Sequence, residues 1–467
     1  MIESSKGRYG LKSTCLRFPE ILAQSVANIS PTLTPVVIVP LVFASAGTGT
    51  WLAYLFATIG IMLVGANINQ FARNSATPGS LYSYVSRGLG VNMGFVAGWS
   101  LLLAYVLTGA AVLAGAVNCA LLLFSLLHWQ VPPLLLFAVG CFVAWLIAYT
   151  DVRLSTRLML LLELVSMALI LVLGVIVMLR GGEVLDARQI TLRGLDFHGL
   201  KAGLVLAIFS YVGFESATTL GEEARNPLKS IPRSVLLSGL ISGLFFMMSA
   251  YIAVLGFKRI SGSLADSAAP FNDLAVNVGL PLFGVLISVA AVISLFACTL
   301  ASINAAARVL LAMSRHGVFH SRLAGSHAQN DTPHHALTLV SLLVFVLPAA
   351  LLYDGRGVLG VFNDLSTIAV YGFLTVYVLV AIAAPLYLAQ RAQLTVKSLA
   401  LALLALLFML PPVIATLYPT PLPPADKFVM YFGLYLAVGL GWYGWLRLCG
   451  SGELLAASSR ELELDHP

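Results

Sequence analysis

Long apolar runs, separated by short polar segments, set the pattern of this 467-residue chain. Each run is long enough for a helix to cross about 30 Å of hydrocarbon, in some cases only with tilt or with flanking residues. The pattern predicts an all-α integral membrane protein with twelve transmembrane helices. The runs lie near residues 21–46, 51–72, 91–126, 133–150, 157–179, 200–220, 234–256, 280–312, 336–353, 360–388, 397–418 and 428–448.

The first run is interrupted near its middle by a polar segment that contains two prolines. Pro31 and Pro35 lack an amide donor and clash with the preceding turn, so regular helical hydrogen bonding fails there. Hydroxyl side chains beside the freed carbonyls can bond back to their own backbone, as in a kinked helix, or can line a solute site. We favour the site, with Ser30, Pro31, Thr32, Leu33 and Thr34 as candidate substrate-binding residues.

The sixth run carries a second interruption about 180 residues later. Gly213 lowers the cost of leaving helical geometry there. Glu215 places a carboxylate near mid-membrane, where a charge costs several kcal/mol unless it faces protein or water. Two interrupted helices, each opening a group of five, indicate an inverted-repeat transporter with its solute between the breaks. The second break adds the candidates Phe209, Ser210, Tyr211, Val212 and Gly213.

Two acidic residues are candidates for structural or coupling roles. Glu215 either accepts hydrogen bonds from unwound backbone amides, which we favour, or contacts the substrate. Glu163 lies in run five, six residues past Arg157. It either pairs with Arg157 or Arg153 at the membrane interface, or faces the bundle and loads a proton on one side and releases it on the other.

Other polar residues permit weaker hypotheses. Hydroxyls of run eight, Thr299 and Ser302, would form a cation site with carbonyls of the first helix if the protein were a sodium symporter. His316 and His320 have a spacing that suits a metal ion, but without neighbouring Cys or a carboxylate set we interpret them as solvated loop residues. We therefore expect no metal and no cofactor.

Composition and charge agree with a membrane location. The chain is 59% hydrophobic and 10% charged, with a mean hydropathy of +0.94, whereas soluble proteins carry roughly a quarter charged residues. With the N-terminus inside, 18 of the 26 Lys and Arg residues fall in inner segments. This bias predicts two cytoplasmic termini in the bacterial plasma membrane, and it accounts for the net charge of +6 without a nucleic-acid partner.

The run order divides the chain into five parts. We expect residues 1–20 to be a cytoplasmic tail, 21–180 a first repeat of helices 1–5, and 199–390 a second repeat of helices 6–10. Residues 396–449 would add helices 11 and 12, and 450–467 would form a second cytoplasmic tail.

Three sequence blocks carry a family resemblance. They are residues 77–99, with a Thr-Pro-Gly turn and two tyrosines, residues 209–233 around the second break, and residues 296–337. In these blocks the chain resembles the amino acid–polyamine–organocation (APC) superfamily of transporters, bacterial amino acid permeases in particular. The resemblance implies a LeuT-like five-plus-five inverted repeat with two additional helices.

The resemblance also implies roles for particular residues. Exposed backbone in broken helices one and six would hold the substrate carboxylate and amino groups, and an aromatic residue on helix six, here Phe209, would close over the substrate. The chain departs from the family at two places. Its first break lacks the usual glycines, and Glu163 aligns near a helix-five lysine that some relatives use in proton coupling.

These observations predict a secondary active transporter that moves an amino acid or related amine by alternating access, proton-coupled or exchanging. The alternatives are a sodium symporter of the same fold and a transporter-like nutrient receptor. An enzyme would need a nucleophile, a base or a metal set on neighbouring helices, and no run contains a His. The sequence leaves open the solute, the coupling, the direction and the oligomeric state.

Overall fold

A computed structural model of the protein describes most of the chain as helix. The described residues are 7–181, 184–192, 195–267, 269–417 and 427–448. Among them there is no sheet, and one isolated bridge joins Leu16 to Ala224. The predicted tail 450–467 and the first six residues of the predicted N-terminal tail lie outside the described residues.

Sixteen α-helices follow one another along these residues. They are α1 Phe18–Ile29, α2 Val39–Ala46, α3 Thr50–Ala72, α4 Ser80–Leu89, α5 Val91–Leu126, α6 Pro133–Thr150, α7 Val152–Gly181, α8 Ala187–Thr191, α9 Phe197–Phe209, α10 Pro227–Phe257, α11 Pro270–Asn277, α12 Pro281–Arg315, α13 His334–Tyr353, α14 Val358–Gln390, α15 Val396–Leu417 and α16 Phe428–Leu448.

The predicted all-α membrane class is confirmed. Within the part of the chain that the structure describes, ten helical stretches are long and apolar enough to cross a membrane. One of them, Phe18–Ala72, is 55 residues long and contains the first two predicted runs. The sixth run corresponds to the shorter α9 and the 3-10 turn that follows it, so every predicted run has helical structure.

Both predicted breaks are present. α1 ends at Ile29 because Ser30 turns into the left-handed region with φ of +51°, and the chain resumes as a π-helical turn, Thr34–Ile38, that leads into α2. α9 ends at Phe209, and Gly213 has φ of +90°, a conformation that glycine adopts without strain. A 3-10 turn, Ser216–Leu220, then completes the sixth helix.

The bundle is built around α5, which packs along α12 and α14. Gly372 allows the close approach of α14, since a Cβ there would come within 2.7 Å of the Ser100 carbonyl oxygen. α1 contacts α7, α10 and α12, so the first break faces the centre of the bundle. Each broken helix opens a group of five apolar helices, and the repeat boundaries 21–180 and 199–390 stay predictions.

Candidate functional site

The two breaks meet at the centre of the bundle. The side-chain amide of Asn28, two residues before Ser30, lies 3.5 Å from the carbonyl oxygen of Gly213. The amide of Ala217 donates to the hydroxyl of Ser25 at 2.8 Å. The end of α1 and the start of the 3-10 turn therefore run side by side, and the candidates of both breaks lie in one region.

The first break contains polar groups without partners. Ser30, Thr32 and Thr34 are fully buried. Among the described residues, the hydroxyls of Thr32 and Thr34 have no hydrogen-bond partner. A buried unsatisfied hydroxyl costs about 1–3 kcal/mol, so a polar group of a ligand, or water, would be bound favourably here. Pro31 is also buried and Leu33 is half-buried.

Glu163 lies behind the first break, inside the bundle. Its carboxylate is 2% exposed, and both of its oxygens lie 2.9 Å from the hydroxyl of Ser294 on α12. That hydroxyl is in turn 3.2 Å from the hydroxyl of Ser30. The structure thus places Glu163 against Ser294, while Arg157 bonds to Glu20 at 2.8 Å. The choice between an interfacial pair with Arg157 or Arg153 and a coupling role stays a prediction.

The hydrogens around Glu163 can be counted. A serine hydroxyl carries a single hydrogen and cannot donate to two carboxylate oxygens and to Ser30 at once. Glu163, Ser294 and Ser30 form a row of neighbouring oxygen atoms. In this row a single serine hydrogen faces both oxygens of the carboxylate, so an ionised carboxylate would lack a donor for one of them. If the carboxyl group carried a proton, Glu163 could donate to Ser294 and Ser294 could donate to Ser30, which would complete the row of hydrogen bonds.

Glu215 is also fully buried, but each of its oxygens has its own donor. The hydroxyl of Tyr105 on α5 donates to Oε1 at 2.8 Å, and that of Tyr377 on α14 donates to Oε2 at 2.6 Å. The backbone amide of Glu215 itself also bonds to the carboxylate, so phenols and a backbone amide both serve as donors. The amide of Gly213 instead donates to the Tyr377 hydroxyl at 3.3 Å, so Tyr377 joins the carboxylate to the break.

The remaining candidates of the second break point in different directions. Phe209 is the last residue of α9 and is half-buried, as is Val212. Tyr211 contacts Thr58 of α3 through its hydroxyl at 2.7 Å, and its ring packs edge-on against Phe246. Ser210 is buried, and its hydroxyl lies 3.5 Å from that of a tyrosine on α3.

Only one of the two predicted cation-site hydroxyls bonds to α1. Ser302 donates to the side-chain oxygen of Asn28 at 2.7 Å. Thr299 donates to the Leu295 carbonyl of its own helix at 3.0 Å. The thiol of Cys298, the residue before Thr299, donates to the Asn28 carbonyl at 3.2 Å.

The histidines with metal-like spacing do not share a site. His316 lies 2.8 Å from the hydroxyl of Tyr82 through Nδ1. His320 accepts from the amide of Arg322 at 3.1 Å. Over the described ranges, no three His, Cys, Asp or Glu side chains are grouped so as to hold a metal ion.

The N-terminal segment 7–17 crosses one end of the bundle, which we call the tail face. The amide of Leu16 donates to the Glu223 carbonyl at 2.8 Å, and that of Arg225 donates to the Leu16 carbonyl at 3.0 Å. The carboxylate of Glu222 accepts from the amide of Tyr9 at 2.5 Å. Burial raises the pKa of Glu222, and this amide bond opposes the shift. The segment is thereby attached to the end of the sixth helix.

A buried ion pair holds the same end of the sixth helix to α12. Both Glu223 and Arg308 are at most 1% exposed. Two guanidinium nitrogens of Arg308 donate to the two carboxylate oxygens, each at 2.7 Å. Such a bidentate pair fixes geometry as well as charge.

Sequence reasoning did not single out four residues that organise this region. Asn28, Tyr105 and Tyr377 bond to the breaks or to Glu215, and Arg308 bonds to the end of the sixth helix. The available signal was an isolated polar side chain in a long apolar helix, such as Tyr105 in α5. That signal indicates an inward-facing residue but not its partner.

Comparison with known proteins gives a family match. Residues 20–440 match the sequence model of the family described as "Amino acid permease". The low-affinity putrescine importer PlaP of Escherichia coli K12 is 27% identical over 335 residues, 68% of this chain and 72% of that protein. The branched-chain amino acid permease BcaP of Bacillus subtilis is 24% identical over 360 residues, 73% of each chain.

One solved structure supports the fold. The crystal structure of MhsT in complex with L-phenylalanine aligns with a TM-score of 0.60 at 16% identity, over 87% of this chain and 99% of that chain. At this level of identity the likeness concerns the fold alone. It agrees with the LeuT-like arrangement that the family resemblance implies.

Proposed function

Because the chain belongs to the amino acid permease family and is a secondary transporter, we propose that it carries an amino acid or a related amine across the plasma membrane by alternating access. We propose that movement is coupled to protons or occurs by exchange, without chemical change of the solute. The observation that carries this proposal is the meeting of the two breaks, where the buried hydroxyls of Thr32 and Thr34 have no partner among the described residues.

The helix ends suit the two charged groups of an amino acid. The half-helix that begins at Thr34 directs the positive end of its dipole toward the first break, which favours a carboxylate. α9 ends at Phe209 and directs the negative end of its dipole toward the second break, which favours an ammonium group. We propose residues 30–34 and 209–213 as the binding segments, with the half-buried ring of Phe209 closing over the solute.

Glu163 is the proposed coupling residue. The low dielectric of the bundle disfavours an unpaired charge, and the single hydroxyl of Ser294 does not satisfy both carboxylate oxygens. A proton taken up on Glu163 would complete the row that ends at Ser30. Proton binding would thus stabilise one arrangement of the first break, and proton release would favour another.

Alternating access requires the tail face to open. We propose that the tail face is cytoplasmic, in agreement with the distribution of Lys and Arg. Opening would separate segment 7–17 from the end of the sixth helix. Ser302 donates directly to Asn28, and Thr299 donates to a carbonyl of its own helix. Because both hydroxyls are already bonded within the protein, this arrangement favours coupling to protons over a sodium ion bound between α1 and α12.

Flux into proteoliposomes tests the proposal. The purified chain would be given labelled amino acids and amines, with an imposed proton gradient, an imposed sodium gradient, or neither. We expect uptake of at least one solute, accelerated by inward protons or by internal unlabelled solute. Dependence on sodium alone would support the sodium symporter. Saturable binding without flux of any solute would support a receptor and contradict the proposal.

A further inference from the structure

A cavity of about 510 Å³ lies where the ends of α7 and α10 meet the turn between α11 and α12. α7 begins beside the tail face, because its second turn carries Arg157, which bonds to Glu20 near the start of α1. The cavity at the last residues of α7 is therefore at the opposite end of the bundle. Its volume falls in the range of ~300–1,000 Å³ that small-ligand sites occupy.

Two arginines give this cavity its charge. Arg180 lies in the last turn of α7, and Arg259 follows the end of α10. The described lining of the cavity contains no Asp or Glu, and Asp186, which follows α7, is paired with Lys258 at 2.5 Å. Both arginines belong to the minority of Lys and Arg residues outside the inner segments, so the inward bias of positive charge does not account for them.

Both guanidinium groups are held in place and keep donors for a ligand. Among the described residues, Arg180 donates to the Val278 carbonyl and Arg259 donates to the Gly181 carbonyl. A guanidinium has five N–H donors and can bind a phosphate through two parallel bonds. The missing side chain at Gly181 leaves room for this arrangement, since a Cβ there would lie 3.2 Å from Nη1 of Arg259.

Exposed apolar side chains adjoin the cavity. α7 has 30 residues and is about 45 Å long, longer than the ~30 Å of hydrocarbon, so its last turn lies at the depth of the lipid headgroups. Leu179 is 73% exposed beside Arg180, and Leu282, at the start of α12, is 72% exposed. A ligand with a phosphate and an apolar chain would contact both kinds of surface, whereas a free anion would contact the arginines alone.

We propose that this cavity binds the headgroup of an anionic phospholipid from the leaflet opposite the tail face. Arg180 and Arg259 bind the phosphate, and the acyl chains lie against the exposed apolar side chains of α7 and α12. The two cations repel the ammonium group of a zwitterionic lipid, so the site prefers a lipid with net negative charge. The bound lipid joins the end of α7, the helix of Glu163, to the end of α10. The inference does not depend on the solute or on its coupling.

Native mass spectrometry of the purified chain tests the site. The chain would be titrated with phosphatidylglycerol, with phosphatidylcholine, and with soluble glycerol 1-phosphate. We expect phosphatidylglycerol to bind roughly tenfold more tightly than phosphatidylcholine, because each cation near an anionic headgroup strengthens binding severalfold. Glycerol 1-phosphate should bind more weakly than either lipid. The melting temperature in detergent with the same three compounds is a second readout.

A matched set of variants locates the binding. Arg180→Gln combined with Arg259→Gln removes both cations at exposed positions and should weaken phosphatidylglycerol binding roughly tenfold, with phosphatidylcholine binding unchanged. Arg188→Gln removes an exposed cation of α8 that does not line the cavity and should change neither. Arg180→Lys combined with Arg259→Lys keeps the charge but loses the parallel bonds. It should weaken phosphatidylglycerol binding by a smaller factor, and it replaces the glutamine pair if that variant does not fold.

Three results would overturn the proposal. The first is equal affinity of the unmodified chain for phosphatidylglycerol and phosphatidylcholine. The second is a double arginine variant that binds phosphatidylglycerol as tightly as Arg188→Gln does. The third is glycerol 1-phosphate binding as tight as that of phosphatidylglycerol and lost in the same double variant, which would identify a site for a free anion instead of a lipid.

Discussion

The two helix breaks lie side by side but differ in how their polar groups are satisfied. In the sixth helix, Glu215 has one phenol for each oxygen, and Glu223 is held by the two nitrogens of Arg308. In the first helix, the hydroxyls of Thr32 and Thr34 have no partner within the described part of the chain. Behind it, the two oxygens of Glu163 share one serine.

This difference assigns the two breaks separate tasks. A fully bonded buried network is rigid, because every lost hydrogen bond leaves a costly unpaired group. The sixth-helix break is thus suited to act as a fixed frame. The first-helix break has unfilled hydrogen-bonding capacity, which a solute and a proton can complete, and it is suited to be the responsive part. Four substitutions test the comparison, from the largest expected effect to the smallest.

Removing the cation from the frame should have the largest effect. Arg308→Ala leaves the carboxylate of Glu223 buried and unpaired, which costs about 3–5 kcal/mol. We expect a much lower melting temperature in detergent and loss of transport of every solute. Lys397→Ala, at an exposed cation in the first turn of α15, is the control and should change stability by less than about 1 kcal/mol. Equal melting temperatures for the two variants would contradict a frame fixed by this pair.

Glu163→Gln tests the responsive break. Glutamine fills the same space but cannot take up a proton, so an inward proton gradient should no longer drive accumulation, which falls at least tenfold. Counterflow exchange of solute should persist, because it needs no net proton movement. Both are measured in the same proteoliposomes, with Glu163→Asp as the variant that keeps an ionisable carboxyl group. Full gradient-driven accumulation by Glu163→Gln would remove the coupling role.

Glu215→Gln tests whether the sixth-helix break is a frame or a contact with solute. The amide keeps one acceptor oxygen and loses the charge that strengthens the two phenol bonds, a loss on the order of 1 kcal/mol. We expect reduced thermal stability and a several-fold lower flux, with an unchanged ratio of neutral to cationic solutes. Tyr377→Phe, which removes one of the two donors, should behave alike. A changed solute preference would show direct contact of Glu215 with the solute.

The smallest effect on stability is expected at the edge of the frame. Phe209→Ala removes a half-buried ring proposed to cover the ammonium group, worth about 0.5–2 kcal/mol. Solute affinity should fall roughly 2- to 30-fold, since 1.4 kcal/mol corresponds to tenfold, while the melting temperature stays near that of the unmodified protein. Phe197→Ala, at the exposed start of α9, is the control. Normal transport by Phe209→Ala, or its unfolding, would identify the ring as packing.

Local chemistry was enough to predict the class of the protein and the position of both breaks. An apolar run of sufficient length has one stable form in hydrocarbon, a helix that satisfies its own backbone. Pro31 and Gly213 change the chain locally, the first by removing a donor and the second by permitting positive φ. The breaks at Ser30 and Gly213 followed from these residues without reference to any neighbour.

The partners of the buried charges were decided by the tertiary structure alone. Ser294 lies 131 residues from Glu163, and Tyr105 and Tyr377 lie 110 and 162 residues from Glu215. Spacing along one helix predicts which face a side chain occupies but not which distant helix meets that face. Hydrogen bonds form only between atoms within about 3 Å of each other. Only the packing of α5, α12 and α14 could therefore distinguish Glu215, which has a donor for each oxygen, from Glu163, whose two oxygens share one donor.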